Sequence, residues 1–320
     1  MATVFDIPMT HRFRGTERRR GVVFQGDAGW AEFSPFGDYP ADEAVAWWRA
    51  AEEAAEEGFP APHRAAIPVN ATVPAVPAST VEELAASWCG ATTVKVKVAE
   101  PGQSSADEAD RVAAVRAVLG PTGRIRIDAN GAWDVDTAVD RIVLLARAAA
   151  GLEYVEQPCA TAAELAQVRR QAVVPIAADE SIRRALDPLE VKRLEAADLV
   201  VLKVQPLGGV RACLRLAEEL DLPVVVSSAV ETSIGLAMGL ALAAALPRLD
   251  YACGLGTRSL LGGDLVRHGL WPSGGMLELR RVAPDAALLR QWQASPEVSQ
   301  AWQRRLDQVR RLAARPGVGL

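Results

Sequence analysis

Residues 92–130 read TTVKVKVAEPGQSSADEADRVAAVRAVLGPTGRIRIDAN, and the rest of the chain follows the pattern of this one stretch. Thr92–Val98 alternates β-branched residues with lysines at a period of two, as a strand does. Ala106–Leu119 follows with Ala, Val and Leu at helical spacing, between Pro101-Gly102 and Gly120-Pro121, which break regular structure. Arg124–Asp128 then returns to a period of two and ends in Asp128-Ala-Asn130. Strand, helix and strand at this spacing make a βαβ unit with parallel strands.

The unit repeats outward in both directions. Strand-like runs stand at Ile67–Val73, Leu152–Glu156, Pro175–Asp179, Leu199–Val204, Leu222–Ser227 and Tyr251–Gly254. Helical patterns stand at Val81–Trp88, Asp134–Ala149, Ala162–Gln171, Pro188–Ala196, Val210–Leu220 and Ser233–Leu246. Eight strands with intervening helices predict a closed (β/α)7β-type barrel rather than an open sheet. The two ends break the pattern: a hairpin at Arg18–Phe24 and Gly29–Phe33, a helix at Ala41–Gly58, and a late helix at Ser295–Ala313. We expect residues 1–62 and 262–320 to form a smaller α+β cap over a barrel at residues 63–261.

Composition narrows the partners. Against 40 acids stand 35 lysines and arginines, a net charge of −5, and no basic face dominates, so nucleic acid is not expected. The basic run Arg18-Arg19-Arg20 reads as a solvated edge. Cys89, Cys159, Cys213 and Cys253 lack CxxC spacing and read as reduced, buried thiols. Met1–Arg20 has no apolar core of a signal peptide, and Ile234–Leu246 is too short to span a bilayer. A cytoplasmic protein without a membrane partner is expected; the sequence assigns no oligomeric state.

The chemistry lies at the strand ends, where a barrel keeps its functional groups. Lys95 and Lys97, Asp128 and Asn130, Glu156, Asp179, and Lys203 fall on five consecutive strands, at intervals of 31, 28, 23 and 24 residues from Lys97 onward. Each has an ordinary reading: Asp128 as a helix cap, Glu156 as a turn carboxylate, Asp179-Glu180-Ser181 as a capping segment, the lysines as ion-pair partners. Together they do not, because three acids converging in one barrel mouth repel and call for a cation. Oxygen ligands with room for water suit Mg²⁺, with Mn²⁺ as a substitute. A lysine acts as a base only when its pKa falls toward neutrality, and Lys95, a metal and Lys203 supply positive neighbours for Lys97. The reaction class expected is proton abstraction α to the carboxylate of a small-molecule substrate.

These KxK, DxN, ExP, DE and K signatures, in order from Thr92 to Thr257, resemble the muconate-lactonising subgroup of the enolase superfamily. The resemblance implies Asp128, Glu156 and Asp179 as metal ligands and Lys97 and Lys203 as the general acid/base pair. The mandelate-racemase subgroup needs a base histidine on the seventh strand, and His11, His63 and His268 all lie elsewhere.

Within the subgroup the reactions are racemisation of N-acylamino acids, dipeptide epimerisation, muconate cycloisomerisation and dehydration of a cyclohexadiene carboxylate. Ser227, Ser228, Gly208, Gly254, Gly256 and Thr257 resemble the corresponding segments of the members that carry out the dehydration, and with the helix start at Ser233 they leave room and donors for carboxylates. Gly254-Leu-Gly-Thr257 offers no acid for a dipeptide ammonium before Asp264. Arg126 shares a face with Asp128 and either holds a substrate carboxylate or pairs with a barrel acid. The arginines of Thr10–Gly21 suit a dianion, and Gly26–Tyr39 is similar to the family's cap pattern. An N-acylamino acid racemase on the same site is the alternative; a Schiff-base aldolase on Lys203 leaves the acids without a role, and a binding barrel leaves the lysines without one.

Overall fold

The computed structural model describes residues 2–13 and 15–315. Three antiparallel strands open the chain, β1 (Thr3–Phe13), β2 (Thr16–Gly26) and β3 (Gly29–Phe33), followed by α1 (Ala44–Glu56). Next come β4 (Ala66–Pro68), β5 (Ala71–Val73), α2 (Val81–Ala85), β6 (Thr93–Lys97), α3 (Ser105–Leu119), β7 (Arg124–Asp128), α4 (Val135–Ala148), β8 (Tyr154–Glu156), α5 (Ala162–Gln171) and β9 (Ile176–Ala178). Two single turns, α6 (Glu180–Arg183) and α7 (Glu190–Arg193), precede β10 (Leu199–Lys203), α8 (Val210–Leu220), β11 (Val224–Ser227) and α9 (Ser233–Ala245). The tail holds β12 (Met276–Glu278), α10 (Ala286–Gln291) and α11 (Pro296–Ala313).

Strands β5 to β11 form one parallel sheet in sequence order. Among the described residues it closes through only two: Gly254 bridges Ser227 of β11, and Cys253 bridges Val69 beside β5. The eighth strand expected at Tyr251–Gly254 is therefore no more than this pair of bridges. Gly254 suits the position because a Cβ there would sit 2.4 Å from Ser227 Oγ. The expected strand Ile67–Val73 is split, since β4 turns away to pair antiparallel with β12 of the tail.

Local chemistry explains most helix starts. Ser104 with Asp107, and Thr161 with Glu164, form reciprocal capping boxes on α3 and α5. Asp134, not Asp128, caps α4 by accepting from Thr137 N–H. All thirteen residues of α9 are buried, because the three-stranded sheet covers the face that α9 turns away from the barrel. α1 and α11 pack together beside that sheet. Within the barrel, Tyr154, Ala177, Leu199, Val201 and Val225 fill the lower layer, and Tyr251 closes it.

The strand Thr3–Phe13 was not expected, because Asp6, Pro8, Thr10, His11 and Arg12 obscure its alternation. The helix expected at Pro188–Ala196 is the single turn α7, with α6 before it. The cysteines are buried as expected at all but the half-buried Cys89.

Candidate active site

Parallel register builds the site. Lys97 lies opposite Asp128, and Asp128 opposite Glu156, while Lys203 lies opposite Ser227. Residues of one row point the same way at the same height, so these side chains meet at the carboxyl ends of the strands. Asp179 follows β9 directly and joins them. All three acids are at most 1% exposed.

The cations interleave with the acids. Lys95 Nζ lies 2.9 Å from both oxygens of Glu156 and 3.0 Å from Asp128 Oδ2. Lys97 Nζ donates to Asp128 Oδ2 at 2.5 Å and to Asn130 Oδ1 at 2.6 Å. Lys203 Nζ donates to Asp179 Oδ2 at 2.6 Å, and Arg183 Nε to Asp179 Oδ1 at 3.0 Å. Among the described residues no three acids converge on one point; each is held by ammonium or guanidinium groups.

The electrostatics separate the three carboxyls. Burial opposes the charge on Asp128, but Lys97 and Lys95 outweigh it and hold this carboxyl well below its ordinary range. Burial likewise opposes Asp179, and Arg183 and Lys203 pull it down. Glu156 goes the other way, to about 7, through burial first and repulsion from Asp128 second, with Lys95 only partly offsetting. Lys95 itself resists burial because Glu156 and Asp128 raise its pKa.

A small cavity, about 20 Å³, is enclosed by Lys95, Lys97 and Lys203 below, Ser227 to Val230 with Gly254 and Thr257 on one side, and Phe13 and Phe36 above. A wider, more open cavity of about 400 Å³ adjoins it along Arg12, Phe13, Lys97, Glu100 and Asn130. Lys97 and Phe13 line both, and the Lys97 ammonium lies 5.1 Å from the Phe13 ring centroid. Another cavity, about 510 Å³, opens at the start of β11, at the other end of the barrel from the lysines.

Val230, a β-branched residue at φ 60°, forms part of the wall in a backbone region such residues avoid. It is held there by Arg19 Nε donating to its carbonyl at 3.0 Å, and its own N–H lies 3.3 Å from Ser228 Oγ. The Ser228 and Thr257 hydroxyls are 2.7 Å apart.

Several expected contacts resolve otherwise. Arg126 does not line the pocket: from the row it shares with Lys95 and Tyr154 its guanidinium turns to Glu153 and Asn70. Its Nε donates to Glu153 Oε2 at 2.5 Å, and Nη1 to Asn70 Oδ1 and the Ala252 carbonyl. Of its two readings, the geometry has the barrel acid. Gly208 also stays out of the pocket, because the turn it ends leads into α8, whose start docks on α1: Glu53 accepts from the N–H groups of Val210 and Arg211. At Gly209 a Cβ would lie 2.2 Å from Glu53 Oε2. Gly256 sits outside the pocket as well, where a Cβ would strike the Asn70 carbonyl at 2.5 Å.

The start of α9, expected to attract a substrate carboxylate, is filled by the protein's own acids. Glu32 accepts from the N–H groups of Thr232 and Gly235, and Asp264 from that of Ser233. Of the arginines in the front loop, Arg18 and Arg20 pair with Asp6, Arg19 is buried, and Arg12 faces the outer cavity. Arg14 lies outside the described residues.

Sequence reasoning missed Phe13, Phe36 and Gln157. Gln157 stands at φ 41° and wraps the turn after β9: its Oε1 accepts from Asp179 and Ser181 N–H, and its Nε2 donates to Ser181 Oγ. Its place in Glu156-Gln157-Pro158 was the available signal.

Known proteins match both parts of the chain. Residues 79–285 match the family model described as Enolase C-terminal domain-like, and residues 4–55 the one described as Enolase N-terminal domain-like. Among solved structures, the muconate lactonizing enzyme of Pseudomonas putida superposes with a TM-score of 0.76, at 19% identity, over 92% of this chain and 98% of that one. The L-Ala-D/L-Glu epimerase of Bacillus subtilis superposes with a TM-score of 0.74, at 22% identity, over 89% and 96%. At such identities these two share the fold. Curated relatives stand nearer. The o-succinylbenzoate synthase of Thermobifida fusca (strain YX) is 61% identical over 306 residues, covering 96% of this chain and 95% of that one. Those of Mycobacterium ulcerans (strain Agy99) and Mycobacterium tuberculosis (strain CDC 1551 / Oshkosh) are 52% and 50% identical, over 93% and 96% of this chain and 90% and 92% of theirs. The chain belongs to the o-succinylbenzoate synthase family of the enolase superfamily.

Proposed function

We propose that the site removes water from 2-succinyl-6-hydroxy-2,4-cyclohexadiene-1-carboxylate to give 2-succinylbenzoate, the product its relatives are named for, as a step of menaquinone biosynthesis. The observation that carries this reading is the buried row of Lys97, Asp128, Glu156, Asp179 and Lys203, with the two lysines separated by β7, β8 and β9. Three buried carboxylates at adjacent strand ends, held here by Lys95, Lys97, Lys203 and Arg183 rather than converging on one point, are the hard oxygen donors that a divalent cation takes. Asp128, Glu156 and Asp179 are the residues that would hold Mg²⁺, or Mn²⁺ in its place. When bound, the ion supplies positive charge to the substrate carboxylate.

The chain's own groups do the rest. Lys97, in its neutral form, takes the proton from the ring carbon that bears the carboxylate, and the electron pair moves toward that carboxylate. Lys203, across the pocket, faces the developing negative charge. The ammonium of Lys97 then returns its proton to the hydroxyl leaving from the same face, so that water departs and the ring becomes aromatic. Lys95 holds Glu156 and Asp128, and Asn130 orients Lys97. Ser227, Ser228 and Thr257 offer hydroxyls, and Phe13 and Phe36 exclude water. The cap, residues 1–62 with 262–320, supplies those two rings to a barrel at 63–261. Three fully buried free thiols accord with a reducing cytoplasm, and no helix among the described residues is long and apolar enough to cross a membrane.

The test offers the purified protein the cyclohexadiene acid, N-succinyl amino acids, dipeptides and muconate, with Mg²⁺ and with EDTA. Aromatic absorbance should appear with the cyclohexadiene acid only when metal is present. Racemisation of an N-succinyl amino acid without aromatic product would move the assignment to the racemase, and full turnover in EDTA would end the metal reading.

A further inference from the structure

Arg183 closes the one-turn helix α6, four residues after Asp179, and its side chain is 1% exposed. Its guanidinium has three partners. Nε donates to Asp179 Oδ1 at 3.0 Å, Nη2 to Glu180 Oε1, and Nη1 to the hydroxyl of Tyr39 in the segment between β3 and α1. Glu180 Oε1 also accepts from Asn130 Nδ2 at 3.0 Å, and Asn130 Oδ1 takes the Lys97 ammonium at 2.6 Å. One planar group thus joins the cap to the acid beside Lys203 and, through Glu180 and Asn130, to Lys97.

The Tyr39 end is fixed as firmly. Its ring packs edge-on against Trp47 at 5.2 Å, and the Arg184 guanidinium lies 4.7 Å from its centroid. From α11, Arg305 donates to the carbonyls of Tyr39 and Phe36, at 2.7 and 2.9 Å. The segment that carries Phe36 over the pocket is therefore the segment that holds Arg183. A guanidinium is a rigid fork, so fixing one end fixes the direction in which the other presents its donors. Asp179 has Oδ1 committed to that fork and Oδ2 facing Lys203.

We propose that Arg183 is a positioning residue that couples seating of the cap to the alignment of Asp179, through the Tyr39 hydroxyl. The seated cap then tightens binding of a divalent cation by the acids, and by linkage a bound cation steadies the cap segment by the same factor. This rests on the metal reading given above.

Tyr39→Phe removes the hydroxyl and keeps the ring contacts with Trp47 and Arg184. Mn²⁺ binding is measured on wild type and variant without substrate, by paramagnetic resonance of the free ion. Amide exchange of residues 36–43 is followed with and without Mn²⁺. The variant should bind Mn²⁺ on the order of ten-fold more weakly, with its metal-free melting temperature close to wild type. Mn²⁺ should slow exchange of the cap segment in wild type but not in the variant. Arg183→Lys keeps a positive charge beside Asp179 without the fork and should weaken Mn²⁺ at least as much; Tyr39→Phe decides the matter should that protein fail to fold. Equal affinities for wild type and Tyr39→Phe, or a cap segment indifferent to Mn²⁺, overturns the coupling alone. A wild type that binds no Mn²⁺ overturns both the coupling and the metal reading.

Discussion

Arg126→Met separates the two roles that spacing allows for this residue. Arg126 has no exposed side-chain surface, and it lies between the Tyr154 and Tyr251 rings at 4.6 and 5.9 Å from their centroids. Removing one member of a buried ion pair costs about 3–5 kcal/mol, since the partner is left uncompensated. Here Glu153 keeps a second cation, Arg124 at 3.0 Å, which is itself 62% exposed and therefore screened. Loss of the two ring contacts and of the donors to Asn70 and Ala252 works against that relief, so the lower end, about 3 kcal/mol, is expected. In a chain of 320 residues that is a fall of the melting temperature by roughly 4–5 °C. Urea unfolding and calorimetry measure it, and kcat/KM at 15 °C, where the variant stays folded, should remain within about three-fold of wild type, because the hydrogen-bond partners of Arg126, Glu153, Asn70 and Ala252, do not line the pocket. Arg126→Met with Glu153→Met should recover part of the loss, as apolar replacements of both partners do. An unchanged melting temperature with kcat/KM down a hundred-fold would show that Arg126 holds the substrate.

Three further outcomes follow from the same geometry. Lys97→Ala should lower kcat/KM by at least about 10²–10⁴-fold in the aromatisation assay, the worth of a general base, and Lys97→Arg should not rescue it because guanidinium stays protonated; near-normal turnover by either removes Lys97 from the chemistry. Lys203→Ala should also fall by orders of magnitude, and a kcat/KM close to wild type would make it a structural lysine. Burial pushes fully enclosed Glu32 up to about 7, despite the hydrogen bonds from Thr232 and Ser34. Its folded pKa lies above its unfolded one, so the folded state binds the extra proton, and stability drawn from Glu32 is lost as pH rises from about 4.5 to 7. Glu32→Gln should therefore gain stability relative to wild type between pH 5 and pH 8 in urea titrations, and a pH-independent difference would contradict this.

The alternation of strand and helix from Ile67 to Leu246 was legible because each βα unit is built from local periodicities, and a parallel strand buried on both faces must be apolar. The acids and lysines were legible for a related reason. A charge at the end of an apolar strand has one place to go, and the near-equal intervals put five of them at one height. Depth within the barrel was not legible: Arg126 and Asp128 share a face, and only the folded contacts show that Arg126 turns to Glu153 and Asn70 while Asp128 meets Lys95 and Lys97 in the mouth. The closing strand was overestimated because two backbone bridges at Cys253 and Gly254 suffice once seven strands have curled. Gly208 and Gly256 looked like room for substrate; what the fold uses is the next glycine, Gly209, for the close approach of Glu53, and Gly256 for that of the Asn70 backbone, and both partners are far away in sequence.

By itself, then, the sequence determined the barrel, the order of its charged strand ends and the reaction class that such an order serves. The tertiary structure alone decided which cap side chains, Phe13 and Phe36, close the pocket, that the start of α9 is occupied by Glu32 and Asp264, and that Tyr39 reaches Asp179 through Arg183. The physical reason is range: periodicity and strand-end placement are written within a few residues, whereas a contact between Tyr39 and Arg183, 144 positions apart, exists only after the chain has folded back over its own barrel.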